Sequence, residues 1–338
     1  MIGAVRKYKA FFMLILTLLV ACAPSVNKAE DARQATLSVM VETMAAEEAL
    51  TKSTHEPAVN NTARVTVQTE TITDAIVTPT ETPLPTITFT PTEDTRIPPR
   101  QWASYPILPV VSHNAVAIYQ KGIAMGNNPH LFTVVGDCQS APNVFLGIYD
   151  TQRYSIHESY AHLEETIDHF QGAFSHESLS VVDGLSAPSA LSPLWANQDA
   201  CDSDENPVAC ELRVNRPSII FINLGTVWKA GASADKYREY LEQIVQIVID
   251  NGAVPILSTK ADNVEGDHSI NRVTAQVAYD YDIPLWNFWA AADSLPNHGL
   301  DAGRDNIYLT PEGWDRRNFT GLQTLDVVWR TLQAGAVQ

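Results

Sequence analysis

A short apolar run that stops at a glycine is the feature that most constrains this chain. Residues 131–135 read LFTVV, and Gly136, Asp137 and Cys138 follow at once. A continuous apolar run closed by glycine is typical of an interior strand of a parallel sheet, buried on both faces. In open α/β sheets, ligands and reactive groups collect beyond the carboxyl ends of such strands. Cys138 is therefore predicted to lie at the reactive corner of the fold, with Ser140 close behind.

The rest of the C-terminal part alternates between strand and helix patterns. Strands are predicted at 131–135, 179–182, 218–224, 254–257 and 284–288, and helices at 114–124, 160–170, 233–252, 270–281 and from Pro311 onwards. Ser233 is a suitable N-cap for the third helix, and Gly252 a suitable stop. The alternation predicts an α/β fold, a three-layer α/β/α sandwich with a five-stranded parallel sheet.

The N-terminus has the features of an export signal. Arg6, Lys7 and Lys9 precede an apolar run that is too short to span a bilayer, and the run ends in Leu-Val-Ala-Cys22. This ending resembles a bacterial lipobox, which implies a signal peptide over 1–22, acylation of Cys22 and an extracytoplasmic protein anchored to membrane lipid. The alternative is an ordinary signal in which Cys22 is incidental.

Residues 23–100 are predicted to form a disordered tether. The segment is first rich in Ala and Glu and then in Thr and Pro, and such a composition cannot bury enough apolar surface to fold. In polyproline II the Thr/Pro-rich part would reach on the order of 100 Å. The folded domain is predicted over 101–338.

The net charge and the cysteines bear on which partners, disulfides and metals can be predicted. A net charge of −17 leaves no basic face for phosphates, so no nucleic-acid partner is predicted. Export favours a disulfide between Cys201 and Cys210, the alternative being two free thiols in an acidic loop. The 201–206 loop lacks the glycine and terminal glutamate of an EF-hand, so neither a metal nor a cofactor is predicted.

Four fragments of 101–338 together resemble the SGNH (GDSL) hydrolase family. Gly136-Asp137-Cys138 stands where the family has Gly-Asp-Ser, and Gly184 matches the glycine of the second block. Leu224-Gly225-Thr226 begins the third block, after which Val227 and Trp228 replace Asn and Asp. In the last block Asp305 is kept, and Tyr308 replaces the histidine ahead of Thr310-Pro311. The resemblance implies a flavodoxin-like sandwich and an ester hydrolase ancestry.

The family's roles map onto these positions with three losses. Cys138 takes the place of the nucleophile, Tyr308 that of the base, and Asp305 that of the residue orienting the base. The oxyanion would be held by the backbone N–H groups of Cys138 and Gly184, whereas Val227 offers a hydrocarbon in place of the asparagine amide. A missing oxyanion donor typically costs about 10²- to 10³-fold in rate. A phenol titrates near about pH 10 and is a poor base at neutral pH, so the tyrosine is the gravest change.

Other groups could assist or bind. His298 lies in the loop before Asp305 and could serve as the base instead, or could merely cap a backbone group. His268 follows the fourth predicted strand. A ligand site is predicted from Asp137, Gly225, Lys260, Asp262 and Asn263, the alternative for the last three being a solvated turn. Trp286, Trp289 and Trp314 fit either a sugar-stacking platform or core packing.

Three function classes remain open from the sequence. The first is a surface-anchored hydrolase-like domain acting on acyl esters of glycans or lipids, with activity impaired or altered by the substitutions. The second is a non-catalytic module that binds an envelope glycan or ester. The third is a purely structural surface domain whose partners are proteins.

Overall fold

A computed structural model describes residues 94–229 and 231–336. The predicted signal peptide, Cys22 and most of the predicted tether lie outside the described residues. Folded contacts begin at the start of the described part, where Arg96 donates hydrogen bonds to the Tyr279 carbonyl and to Asp282. Among the described residues, no helix is both long enough and apolar enough to cross a membrane.

Strands and helices alternate along the chain as predicted. The strands are β1 (Asn128–Gly136), β2 (Pro217–Asn223), β3 (Val254–Ser258) and β4 (Leu285–Trp286). The helices are α1 (His113–Ala124), α2 (Leu163–His169), α3 (Ala187–Ala190), α4 (Pro207–Asn215), α5 (Ala234–Asp250), α6 (Ser269–Asp280), α7 (Phe288–Ala292) and α8 (Pro311–Ala336). Short 3₁₀ turns lie at Pro99–Ser104, Cys138–Ser140, Gly147–Asp150, Glu158–Tyr160, Pro193–Trp195, Pro296–Gly299 and Ala302–Arg304.

The described strands form one parallel sheet of four strands in the order β1-β2-β3-β4. All seven residues of β2 are buried, so both faces of this strand are covered, as expected for an interior parallel strand. Helix α8 contacts α1, α2 and α7, whereas α5 contacts α3, α4 and α6. The predicted α/β class with a parallel sheet is confirmed.

The prediction of five strands is wrong, because 179–182 pairs with β1 only through a single parallel bridge between Gly136 and Val181. Next to that bridge, the Ser178 and Ser180 hydroxyls both donate to the Val134 carbonyl, at 2.8 and 2.9 Å. A continued ladder would need a backbone N–H at that carbonyl. The two serine side chains therefore end the strand by satisfying the edge of β1 themselves.

The sheet positions the ends of β1 and β2 side by side. Gly136 is in register with Asn223, so the turn that carries Cys138 begins beside the residue that ends β2. Beneath this edge, the Phe221 ring contacts Phe132, Phe145 and Trp286, with ring centroids 5.7–6.1 Å apart. Trp286 has no exposed surface, so for this residue the core-packing alternative holds.

Candidate functional site

The turn after β1 is held by its own aspartate. Asp137 Oδ1 accepts a hydrogen bond from the Gln139 N–H at 2.9 Å and caps the short helix Cys138–Ser140. This arrangement turns the chain sharply and leaves Cys138 half-buried at the end of the strand. Ser140 is 2% exposed, so its hydroxyl lies inside the fold and is not available to a substrate.

The structure brings Cys138 and Tyr308 together through a side-chain hydrogen bond. Tyr308 is presented by a loop closed by an antiparallel bridge between Leu300 and Leu309, in which the Asp301 N–H donates to the Tyr308 carbonyl at 2.8 Å. The Arg304 guanidinium lies 3.7 Å above the Tyr308 ring. The first and last of the predicted motifs therefore meet at one edge of the sheet.

The surroundings of Cys138 keep its thiol protonated. Burial raises the pKa of the thiol above its ordinary value of 9.0, and the negative charges of Asp137 and Asp183 raise it further. The hydrogen bond with Tyr308 lowers the pKa but does not outweigh burial. A thiol with a pKa of 9.0 is only about 1% thiolate at pH 7. The Cys138 sulfur is thus a weak nucleophile at neutral pH.

The other predicted catalytic residues are Asp305 and His298, and each has its own surroundings. Asp305 is exposed and has a left-handed backbone, with φ of 56°. His298 also has a positive φ, and its ring stacks on Trp289 at 5.2 Å. Its Nε2 atom lies 3.9 Å from Asp293 Oδ1. The His298 imidazole therefore has an aromatic and a carboxylate neighbour of its own.

The predicted oxyanion positions outside the Cys138 turn are Gly184 and Val227. Gly184 has a φ of 74°, a conformation that favours glycine. Val227 is half-buried in the loop after β2 and offers no side-chain donor. Gly225, in the same loop, has a φ of 113°, and a Cβ atom there would lie 2.6 Å from Ile270 Cγ2, so this position requires glycine.

Lys260 and Asp262 belong to a buried ionic network rather than to a solvated turn. Lys260 Nζ lies 2.5 Å from Asp262 Oδ1 and 2.6 Å from Glu265 Oε2, and all three side chains are buried. Thr226 donates to the other Asp262 oxygen at 3.1 Å. Asn263, in contrast, is exposed, and its side-chain oxygen accepts from the His268 N–H. The predicted cluster therefore splits into a buried pair and a surface residue.

A cleft of about 40 Å³, lined by polar and apolar side chains, adjoins the turn that carries Cys138. Its walls include Asp137 and Gln139, the two neighbours of Cys138, together with Lys260 and Asp262. Burial raises the pKa of Asp137 to about 6, an effect that the nearby Arg317 opposes. Several other polar residues of the wall were missed from the sequence, Asn223 and Arg317 among them.

The missed residues had only weak signals in the sequence. Asn223 is the last residue of β2 and the only polar one after Ser218 in that strand, which marks it as a residue at the functional end of the sheet. Arg317 lies in the second turn of α8. At 100° per residue it shares a face of α8 with Thr324 and Val328, whereas Arg316 lies opposite the apolar stripe. The helical pattern therefore favours Arg317 as the one of the two that points inward.

A disulfide joins Cys201 and Cys210, as predicted. Glu205 lies close to both sulfur atoms, but a disulfide has no thiolate to offer a metal. Among the described residues, this is the only group of three or more His, Cys, Asp or Glu side chains close enough to hold a metal.

No family model matches the sequence, and no curated protein is similar to it at a significant level. The chain is similar to several solved structures. One is TesA, with 16% identity over 59% of this chain and 99% of that chain and a TM-score of 0.39. Another is a lipase/acylhydrolase from Enterococcus faecalis, with 15% identity, coverage of 59% and 95%, and a TM-score of 0.38. A third is a putative acylhydrolase from Bacteroides fragilis, with 14% identity, coverage of 65% and 100%, and a TM-score of 0.40. At these values the assignment of the fold class rests on the chain's own sheet and helices.

Proposed function

We propose that this chain is an extracytoplasmic, lipid-anchored hydrolase-like protein of SGNH ester-hydrolase ancestry. In this proposal Cys138 replaces the nucleophilic serine, Val227 the oxyanion asparagine and Tyr308 the basic histidine, so that ester cleavage is slow at neutral pH. The observation that carries the proposal is the hydrogen-bonded pair of Cys138 and Tyr308 at the end of β1. It supports a nucleophile-and-partner arrangement in which both members have changed.

The chemistry of such a pair depends on pH. A thiolate attacks an ester carbonyl, but here burial favours the neutral thiol, and a phenol cannot accept its proton at pH 7. As the pH approaches the thiol pKa, the thiolate fraction rises about tenfold per pH unit. Cleavage of an activated ester should therefore rise steeply into the alkaline range.

The test is hydrolysis of p-nitrophenyl acetate by the full chain, with spontaneous hydrolysis subtracted. We expect turnover that increases with pH and is lost in Cys138→Ala. In Tyr308→His an imidazole with a pKa near about 6.5 replaces the phenol, and we expect a gain of about 10²-fold or more at pH 7. If wild type and Cys138→Ala hydrolyse the ester equally at every pH, Cys138 is not a nucleophile.

The second candidate is a non-catalytic module that binds an envelope glycan or acyl ester. It is favoured by the phenol that partners the thiol, because this pair has no group suited to activating sulfur at neutral pH. This candidate predicts saturable binding on a glycan array that Cys138→Ala leaves unchanged. An array with no signal for the full chain would count against it.

Membrane attachment is a separate part of the proposal and rests on the lipobox-like sequence that ends at Cys22. In a bacterial host, the wild-type chain should incorporate labelled palmitate and sediment with membranes. Cys22→Ser should do neither. Equal labelling of both chains would contradict acylation at Cys22.

A further inference from the structure

The cleft beside the Cys138 turn contains a buried cation that forms no ion pair with the described residues. Arg317 is 8% exposed, and one of its nitrogens donates to the Gln139 carbonyl. Its guanidinium also lies over the Phe145 ring, 4.5 Å from the centroid. Within the described part of the chain it forms no ion pair. Burial lowers its pKa to about 10, and the charge of Asp137, which raises the pKa, does not outweigh this effect. A buried guanidinium without a paired anion is costly, so a negative ligand here would be stabilising.

The same cleft contains a buried donor without an acceptor. Asn223 is 9% exposed, and its side-chain oxygen accepts from the Ser258 hydroxyl at 2.8 Å. In this orientation of the amide, Asn223 Nδ2 is buried and has no hydrogen-bond partner among the described residues. Because buried donors are nearly always satisfied, an unpaired one in a cleft wall indicates a ligand atom that accepts from it.

The acidic groups of the cleft do not exclude a small anion. Both oxygens of Asp262 are already engaged, by Lys260 and Thr226. Asp137 has a pKa of about 6, raised by burial and by the charges of Asp262 and Asp183 and lowered by Arg317. Below that pH, Asp137 is mostly a neutral carboxylic acid, which can donate a hydrogen bond to a bound carboxylate.

The volume of the cleft admits a small ligand. A site for a single water needs roughly 10–15 Å³, so a cleft of about 40 Å³ has room for a few waters or one small organic ion. We propose that this cleft binds a small carboxylate of acetate size between Arg317 and Asn223, and that the acyl group handled by this protein is acetyl. The second half of this inference rests on the proposed function.

The test measures binding of ¹³C-labelled acetate to the full chain by the transverse relaxation of the acetate signal, at about pH 5, below the Asp137 pKa. We expect saturable binding in the millimolar range that unlabelled acetate competes away and chloride does not. Asn223→Asp keeps the acceptor for Ser258 but places a carboxylate in the wall, and it should weaken binding at least tenfold. Asn197→Asp, the same change at an exposed asparagine, should leave binding unchanged.

Arg317→Lys tests the guanidinium while keeping the positive charge, and it should weaken binding several-fold. If acetate relaxation shows no binding to the wild-type chain, or if Asn223→Asp binds acetate like Asn197→Asp, the site does not exist. The result is distinguishable from failure of the proposed function, because Cys138→Ala should still bind acetate. Acetate binding without Cys138-dependent turnover would overturn only the proposed function, and turnover without acetate binding would overturn only this inference.

Discussion

At the scale of single residues, Cys138 is subject to opposing influences that one substitution can separate. Burial and two neighbouring carboxylates raise the pKa of its thiol, and the hydrogen bond with Tyr308 lowers it. Tyr308→Phe removes only that hydrogen bond, so the thiol pKa should rise further. The rate of alkylation by iodoacetamide, followed by mass spectrometry on the peptide that contains Cys138, should fall about 2- to 10-fold at about pH 9.

Tyr154→Phe is the matched control for this experiment. Tyr154 donates to Glu164 at 2.9 Å, so the substitution removes a phenol hydrogen bond outside the site. Its alkylation profile should overlay that of the wild type. Identical profiles for Tyr308→Phe and wild type would mean that the Tyr308 hydroxyl does not stabilise the thiolate.

Asp137 makes the stability of the fold depend on pH. Its pKa is raised from 3.8 to about 6, mainly by burial, so the folded state binds the proton more tightly than the unfolded state. Its contribution to stability is therefore fully present below about pH 4 and is lost as the pH rises through about 6, by up to about 3 kcal/mol. Asp137→Asn keeps the acceptor for the Gln139 N–H and removes this loss.

Urea denaturation at about pH 4 and about pH 7 measures this effect. Relative to wild type, Asp137→Asn should gain free energy of unfolding between the two pH values. Asp204→Asn, at an exposed position, should change little over the same range. A constant difference between Asp137→Asn and wild type would show that Asp137 titrates normally in the folded protein.

At the scale of elements, the loop between β3 and α6 is built around buried charge. Lys260 contacts Asp262 and Glu265, and Asn271 of α6 bonds both the N–H and the carbonyl of Lys260, at 2.8 and 2.9 Å. Lys260→Met would leave two buried carboxylates without their cation. Such a change typically costs about 3–5 kcal/mol of stability.

The control is Lys236→Met, which removes an exposed pair with Glu239 at 2.8 Å and should cost no more than about 1 kcal/mol. Both free energies of unfolding can be measured by urea denaturation. If Lys260→Met costs no more than Lys236→Met, the network does not stabilise the loop. In that case the loop would have to be held mainly by Asn271 and the backbone.

The elements also show what the sequence could and could not predict. Hydrophobic periodicity located α5, α6 and the interior strands, because burial on one or both faces leaves a direct pattern. It failed at 179–182, where the hydroxyls of Ser178 and Ser180 replace backbone pairing. It does not show that Asn223 Nδ2 lacks an acceptor among the described residues, or that Arg317 lies against Gln139 and Phe145, because those neighbours come from other elements. The sequence motifs predicted Cys138 and Tyr308 in one site. The stacking of His298 on Trp289 could not be predicted, because it depends on the folded loop.

At the scale of the whole molecule, one covalent link ties an acidic loop to α4. Cys210 lies in α4, and Cys201 lies nine residues earlier in the chain. In the chain-entropy account, closing a loop of about ten residues stabilises the folded state by about 2–3 kcal/mol at 25 °C. The gain arises in the unfolded chain, so it should appear in the stability of the entire cooperative unit rather than in the loop alone.

Reduction therefore gives a prediction for the molecule as a unit. With dithiothreitol, the wild-type chain should lose about 2–3 kcal/mol of unfolding free energy in urea. The double variant Cys201→Ser/Cys210→Ser should show the lower stability at the outset and no response to the reductant. Cys138→Ser retains the disulfide and should respond to dithiothreitol like wild type. A wild-type chain that the reductant does not destabilise would mean that the bridge constrains the loop without contributing to the stability of the fold.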